Sequence, residues 1–156
     1  MKLTVYLETT IPSYLTAELS RDLLTAGHQS VTREWWDARR SHFELYVSEI
    51  VIQEARGGDQ RMARKRLEVM AGIPALGLTQ ASRDLAKELV ARGALPRKAA
   101  VDALHIAIAS VSGMEFLLTW NCAHIANAAL RPRIDAMCRA HGLEPPVICT
   151  PEELME

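Results

Sequence analysis

The sequence has few cysteines and no long apolar run, and both shortages limit the class of protein it can encode. Its three cysteines are an odd number and show no spacing typical of zinc ligands or of a disulfide framework. No stretch approaches the roughly 20 apolar residues that a membrane-spanning helix needs, and the apolar run at the N-terminus is too short for a signal peptide. We therefore expect a cytoplasmic protein with reduced thiols and no membrane partner.

The sequence also lacks a strong excess of charge of either sign. Its formal net charge is −1, whereas a protein that coats nucleic acid without sequence preference is usually strongly basic. Any contact with nucleic acid must therefore be local. The composition, 49% hydrophobic and 24% charged, is that of an ordinary globular protein. Because 156 residues favour one domain over two, we expect residues 1–156 to form a single domain.

Segments typical of strands alternate with segments typical of helices along the chain. Strands are predicted at 3–7, 44–47, 74–78, 115–120 and 147–149. Helices are predicted at 20–40, 48–54, after the cap Asp59, and at 79–93, 95–112 and 131–141, whereas 9–13 is predicted as a turn. This alternation predicts an α/β fold with a mostly parallel central sheet and helices on both faces.

Two polar residues interrupt a helix that is otherwise apolar all round, between Lys98 and Ala109. Such a helix is buried, and a buried carboxylate such as Asp102 is costly unless it is paired or holds a metal. The alternative for Asp102 is a place in the first helical turn, which the helix dipole favours. His105 shares its face and could join it in binding zinc, but a buried structural histidine is the simpler interpretation.

Three more polar residues are predicted near one edge of the sheet. Glu54 falls on the apolar face of its helix, although a solvated glutamate at the helix end is an equal alternative. Glu8 and Asn121 directly follow predicted strands, where parallel α/β sheets form ligand sites, but each is also an ordinary turn residue. With Asp102 they offer oxygen ligands without sulfur. Such a set suits Mg²⁺ or Mn²⁺ and the chemistry of a phosphodiester.

Four segments resemble PIN-domain proteins, and most of all the VapC-like toxins of bacterial type II toxin–antitoxin pairs. They are YLETTIP at 6–12, SEIVIQE at 48–54, DALHIA at 102–107 and LTWN at 118–121. Together they cover nearly the whole chain in the family's order. The resemblance implies a PIN-like fold and an endoribonuclease that uses Mg²⁺ or Mn²⁺ to cut an RNA substrate. It also implies silencing by a cognate antitoxin protein and a homodimer.

The resemblance further assigns catalytic residues. The family's acids fall on Glu8, Glu54 and Asp102, which are the expected metal ligands, and its fourth acidic position falls on Asn121. Glu8 and Asp102 are expected to hold the metal directly or through water. Glu54 is expected to position or deprotonate the attacking water, and Asn121 to orient a metal-bound water or the substrate.

Four other residues are expected near the substrate. Small hydroxyl residues of the family fall on Thr10 and Thr119. Thr10 either bonds a carboxylate or phosphate oxygen or caps the turn before Pro12, and Thr119 is equally explained as a strand residue. Arg97 and Lys98 precede the Asp102 helix and are placed to meet a phosphate.

Two positions depart from the family's pattern and keep a second class of function open. Glu8 stands where the family usually has Asp, and its longer side chain is expected to shift a bound Mg²⁺, which demands near-octahedral geometry. Asn121 stands where the family has an acid, so the site carries one negative charge fewer. The alternative is therefore a PIN-like module with a weakened site that binds RNA or protein without cleaving it.

Overall fold

The centre of the protein is a sheet of five parallel strands. The structure, a computed structural model, describes all residues from 1 to 156. The strands are β1 (Leu3–Leu7), β2 (Phe43–Ser48), β3 (Ala75–Leu76), β4 (Phe116–Leu118) and β5 (Val147–Cys149), in the order β3-β2-β1-β4-β5. Every neighbouring pair is parallel. The predicted α/β class with a parallel sheet flanked by helices is confirmed.

Seven α-helices connect the strands. They are α1 (Thr10–Thr16), α2 (Leu23–Ala38), α3 (Glu49–Ala55), α4 (Gln60–Val69), α5 (Gln80–Ala91), α6 (Ala100–Val111) and α7 (Arg131–Ala140). Three begin where the sequence predicts a helix start, because the side chains of Ser48, Asp59 and Thr79 accept hydrogen bonds from backbone N–H groups of the first turn. None of the helices is both long and apolar enough to cross a membrane.

Two local predictions were wrong. Residues 9–13 were predicted as a turn, but 10–13 belong to α1; Pro12 lies in the first turn of this helix, the position for which the sequence suits it, because no backbone donor is needed there. The predicted helix at 95–112 begins later, at Ala100. Pro96 is extended, and Arg97–Ala99 form a short 3-10 turn before α6.

The prediction of a buried helix before β4 is confirmed. Seven residues of α6 are buried, from Ala103 and His105 through Ser110. The tryptophans of α2 also belong to the core: Trp35 is fully buried, and its Nε1 donates to the carbonyl of Leu154 at 3.1 Å. This bond ties the C-terminal residues to α2.

The strand order reverses at β1, and this reversal determines where a site can form. The chain passes from β1 through β2 to β3 on one side, then returns with β4 on the other side. Beyond the strand ends, the N–H of Glu8 still donates to the carbonyl of Leu118 at 3.0 Å. The carboxyl ends of β1 and β4 therefore lie together, at the place where open parallel sheets bind ligands.

Candidate metal centre

Glu8 is held at the end of β1 by two threonine hydroxyls. Its side chain is buried, with 4% exposure. Oε1 accepts hydrogen bonds from Thr10 and Thr119, both at 2.6 Å. Each hydroxyl in turn accepts a backbone N–H at 2.9 Å, from Trp120 onto Thr10 and from Asn121 onto Thr119. Since the backbone N–H groups occupy the hydroxyl oxygens, both hydroxyl protons point to Glu8.

Glu54 reaches the same place from the last turn of α3. Its side chain is 38% exposed, more than its place on an apolar helix face predicts. Oε1 accepts hydrogen bonds from the Thr9 hydroxyl and from Nε2 of His105, both at 2.6 Å. Partial burial raises the pKa of Glu54, but the hydrogen bonds from His105 and Thr9 outweigh it, so the pKa lies below its usual value. Glu54 is therefore a carboxylate at neutral pH.

His105 connects Glu54 to a row of buried side chains beneath it. Its Nδ1 lies 2.7 Å from the hydroxyl of Tyr6, which lies 2.7 Å from Oγ of Ser48. Ser48 also accepts the N–H of Val51 as the cap of α3. Burial, above all, and the nearby Glu8 and Glu54 charges raise the pKa of Tyr6 above its usual value. The phenol is therefore neutral.

Ligand atoms of Glu8, Glu54 and His105 all lie within 4.8 Å of one another. Neither acid forms an ion pair with a lysine or an arginine; the arginine–glutamate pairs of the protein lie elsewhere, on its surface. In both acids Oε1 accepts two hydrogen bonds, whereas Oε2 accepts none from the protein. A buried carboxylate without a compensating charge is costly. The free oxygens and the uncompensated charge fit a divalent cation that prefers oxygen ligands.

Asp102 and Asn121 are linked to this group by hydrogen bonds. Asp102 is in the first turn of α6, with 21% of its side chain exposed, and its Oδ2 is hydrogen-bonded to Nδ1 of His124 at 2.9 Å. The N–H of His124 donates to Oδ1 of Asn121 at 3.1 Å. Because the Asn121 N–H also reaches Thr119, a continuous path of hydrogen bonds leads from Asp102 to Glu8. Asp102 is not one of the three groups within 4.8 Å.

The four predicted substrate-binding residues lie in different surroundings. Arg97 and Lys98 are exposed on the turn before α6, and neither forms an ion pair. Thr10 bonds a carboxylate, one of its two predicted roles, and it does not cap a turn. Thr119 is fully buried and has no exposed surface for a substrate. Its hydroxyl holds Glu8 instead.

Sequence reasoning missed several residues of the centre. Thr9, Tyr6 and Ser48 take part in the hydrogen bonds that hold Glu54. One signal was available for Tyr6, because it precedes Glu8 by two residues and so falls on the same side of the strand. Thr9 offered no signal beyond its place shortly after β1, and Ser48 was predicted only as the start of α3.

Comparisons with known proteins support the fold. No protein-family model matches the sequence, and no curated protein matches it. A crystal structure of VapBC2 from Rickettsia felis bound to a DNA fragment from their promoter has a TM-score of 0.60 at 13% identity, covering 95% of this chain and 98% of that chain. VapC20 from Mycobacterium tuberculosis, described as a sarcin–ricin loop cleaving toxin, has a TM-score of 0.61 at 15% identity, covering 80% and 95%.

The class of fold follows from this likeness. The chain has the fold of a VapC-like PIN domain, as the resemblance of its four segments implied. Of the acids that the resemblance assigns, Glu8 directly follows β1, Glu54 lies in the last turn of α3, and Asp102 lies in the first turn of α6.

Proposed function

We propose that the protein is a metal-dependent endoribonuclease and the toxin of a type II toxin–antitoxin pair. One observation carries the proposal: Glu8 is a buried carboxylate, grouped with Glu54, and no lysine or arginine compensates for either charge. A structural protein has no reason to bear that cost, whereas a cation that supports phosphodiester hydrolysis removes it.

The residues of the centre are assigned different roles in this reaction. Glu8 and Glu54 would each offer Oε2 to Mg²⁺ or Mn²⁺, and Asp102 would contribute through its remaining oxygen or through water. Such an ion, when bound, stabilises charge on the phosphate and lowers the pKa of water. Glu54, fixed through Oε1, positions or deprotonates the attacking water. Asn121 has its Oδ1 occupied by His124, so its NH₂ group is left to donate to water or substrate.

Two groups of exposed residues support the proposal of an RNA substrate and a protein partner. Arg97 and Lys98 are exposed and unpaired directly before α6, where they would contact RNA phosphates. Leu19, Leu23 and Leu24 are 67%, 90% and 69% exposed at the start of α2 and just before it, and exposed apolar residues this close together are typical of protein-binding surfaces. We assign these leucines to an antitoxin, and we also expect a homodimer.

The test is cleavage of a mixed pool of transfer and ribosomal RNA by the purified protein with Mn²⁺, Mg²⁺ or a chelator. We expect defined cuts that need a divalent metal and disappear in Asp102→Ala. The matched control is Glu34→Gln, since Glu34 is an exposed acid of α2 without a hydrogen-bond partner, and it should cut normally.

The binding-module alternative has one observation in its favour. Asn121 is neutral at the family's fourth acidic position, and Asp102 lies outside the closest group. RNA or partner binding without cleavage in any metal, and unchanged in Asp102→Ala, would support this alternative and overturn the nuclease.

A further inference from the structure

Both ring nitrogens of His105 form hydrogen bonds within the protein, whereas Glu8 and Glu54 each keep one carboxylate oxygen, Oε2, without such a bond. Nε2 is 2.6 Å from Glu54 and Nδ1 is 2.7 Å from Tyr6, and the ring is fully buried. For His105 to bind a metal, one of these hydrogen bonds would have to break. Its closeness to the acids therefore has another explanation.

The direction of the hydrogen bonds follows from the backbone. The N–H of Val51 can only donate, so Ser48 accepts it and has one hydroxyl proton left for a second bond. Tyr6 is the one group that can accept this hydrogen bond, and its phenol then donates a hydrogen bond to Nδ1 of His105. The opposite direction would leave the Ser48 proton buried without an acceptor, which is costly. Nδ1 is thus an acceptor, and the ring proton is on Nε2.

The geometry points to His105 as a positioning residue: its Nε2–H, directed by Val51, Ser48 and Tyr6, holds Oε1 of Glu54 and leaves Oε2 for the metal or the attacking water. His105 is itself no ligand. The assignment rests on the proposed nuclease function only for its catalytic consequence, since the tautomer is a property of the folded protein. Thr9 donates a second hydrogen bond to the same Oε1 and so helps to fix the carboxylate of Glu54.

The tautomer can be observed without any RNA or activity. In ¹⁵N NMR of histidine-labelled protein, with His105→Gln used to assign the signal, we expect Nε2 of His105 to be protonated and Nδ1 to be an unprotonated acceptor. Saturating Mg²⁺ should leave the Nε2–H signal in place. Tyr6→Phe, which removes one hydroxyl and little volume, should shift the Nδ1 signal. A protonated Nδ1, or loss of the Nε2–H on adding Mg²⁺, would overturn the assignment.

The catalytic consequence is tested on the same RNA pool. His105→Leu should lower kcat by about 10- to 100-fold, the usual effect of removing a residue that orients a metal ligand, with little change in KM for RNA. His105→Gln should recover most of the loss, because its amide can also donate to Glu54. Tyr6→Phe should show a smaller loss of kcat. Because this variant removes only one hydroxyl, it tests the same hydrogen bonds even if His105→Leu does not fold.

Failure of the function and failure of the inference give different results. A wild-type protein that cuts no RNA contradicts the proposed function, and the NMR spectrum then still decides the role of His105. A wild-type protein that cuts, together with a folded His105→Leu variant of equal kcat, overturns the positioning role and leaves the nuclease standing. An equal loss of kcat in His105→Leu and His105→Gln would also overturn it, because the hydrogen bond donated to Glu54 would then make no difference to the rate.

Discussion

Replacing Glu8 with glutamine is expected to lower metal-dependent RNA cleavage by roughly 10²- to 10³-fold, which corresponds to about 3–4 kcal/mol of lost stabilisation of the transition state. Glutamine has nearly the same shape as glutamate, and its carbonyl oxygen can still accept both threonine hydroxyls. What it removes is the negative charge and the free Oε2. The measurement is the rate of RNA cleavage at saturating Mn²⁺.

The same variant should not be less stable, and this separates a functional acid from a structural one. The charge of Glu8 is buried without a basic partner, so in chelator its removal should leave the thermal midpoint unchanged or raise it by about 2–4 °C, the shift expected for about 1 kcal/mol. Glu34→Gln should alter neither activity nor midpoint. A Glu8→Gln protein with a much lower thermal midpoint would show that Glu8 stabilises the fold. A loss of activity would then say nothing about a metal.

Replacing Asp102 with asparagine is expected to have the second largest effect, a loss of about 10²-fold in cleavage rate. Asparagine keeps the size of the side chain and one oxygen, but it lacks the charge that Asp102 brings to the start of α6. Asp102 lies outside the closest group of ligands and reaches Glu8 through a path of hydrogen bonds. Its loss should therefore weaken the centre and leave the other two acids in place.

His124 provides the comparison for Asp102. His124→Leu removes the hydrogen-bond partner and leaves the Asp102 charge, and since both side chains are partly exposed, we expect a loss of about tenfold or less. Both rates are measured on the same RNA pool, with wild-type protein as the reference. Full activity of Asp102→Asn would remove Asp102 from the metal centre. Equal losses in the two variants would show that the reaction uses the pair rather than the carboxylate charge.

Most of the fold and the main acids of the centre were predictable from sequence because both depend on local patterns. The alternation of strands and helices predicts the parallel sheet, and Glu8 is recognised by its place directly after β1. Asp102 is recognisable because it interrupts an apolar helix that proves to be buried. Four short segments in the family's order provide the assignment of Glu54 and Asn121.

What the sequence could not predict depends on contacts between distant parts of the chain. Tyr6 and His105 are 99 residues apart, and each alone is explained as an ordinary core residue. The pairing of Asp102 with His124 depends on the path of the loop after β4, which no periodic pattern specifies. Thr119 was expected near a substrate, but only the packing of β4 beside β1 shows that its hydroxyl is used to hold Glu8.

Glu8 and Glu54 are grouped to hold a divalent cation, and the affinity of the metal-free protein for Mn²⁺ tests this claim most directly. Electron paramagnetic resonance would follow free Mn²⁺ during titration of wild-type, Glu8→Gln and Glu34→Gln proteins. We predict saturable binding to wild type and to Glu34→Gln, and binding to Glu8→Gln that is weaker by about tenfold or more. Equal affinity of all three proteins, or no saturable binding to wild type, would contradict the account.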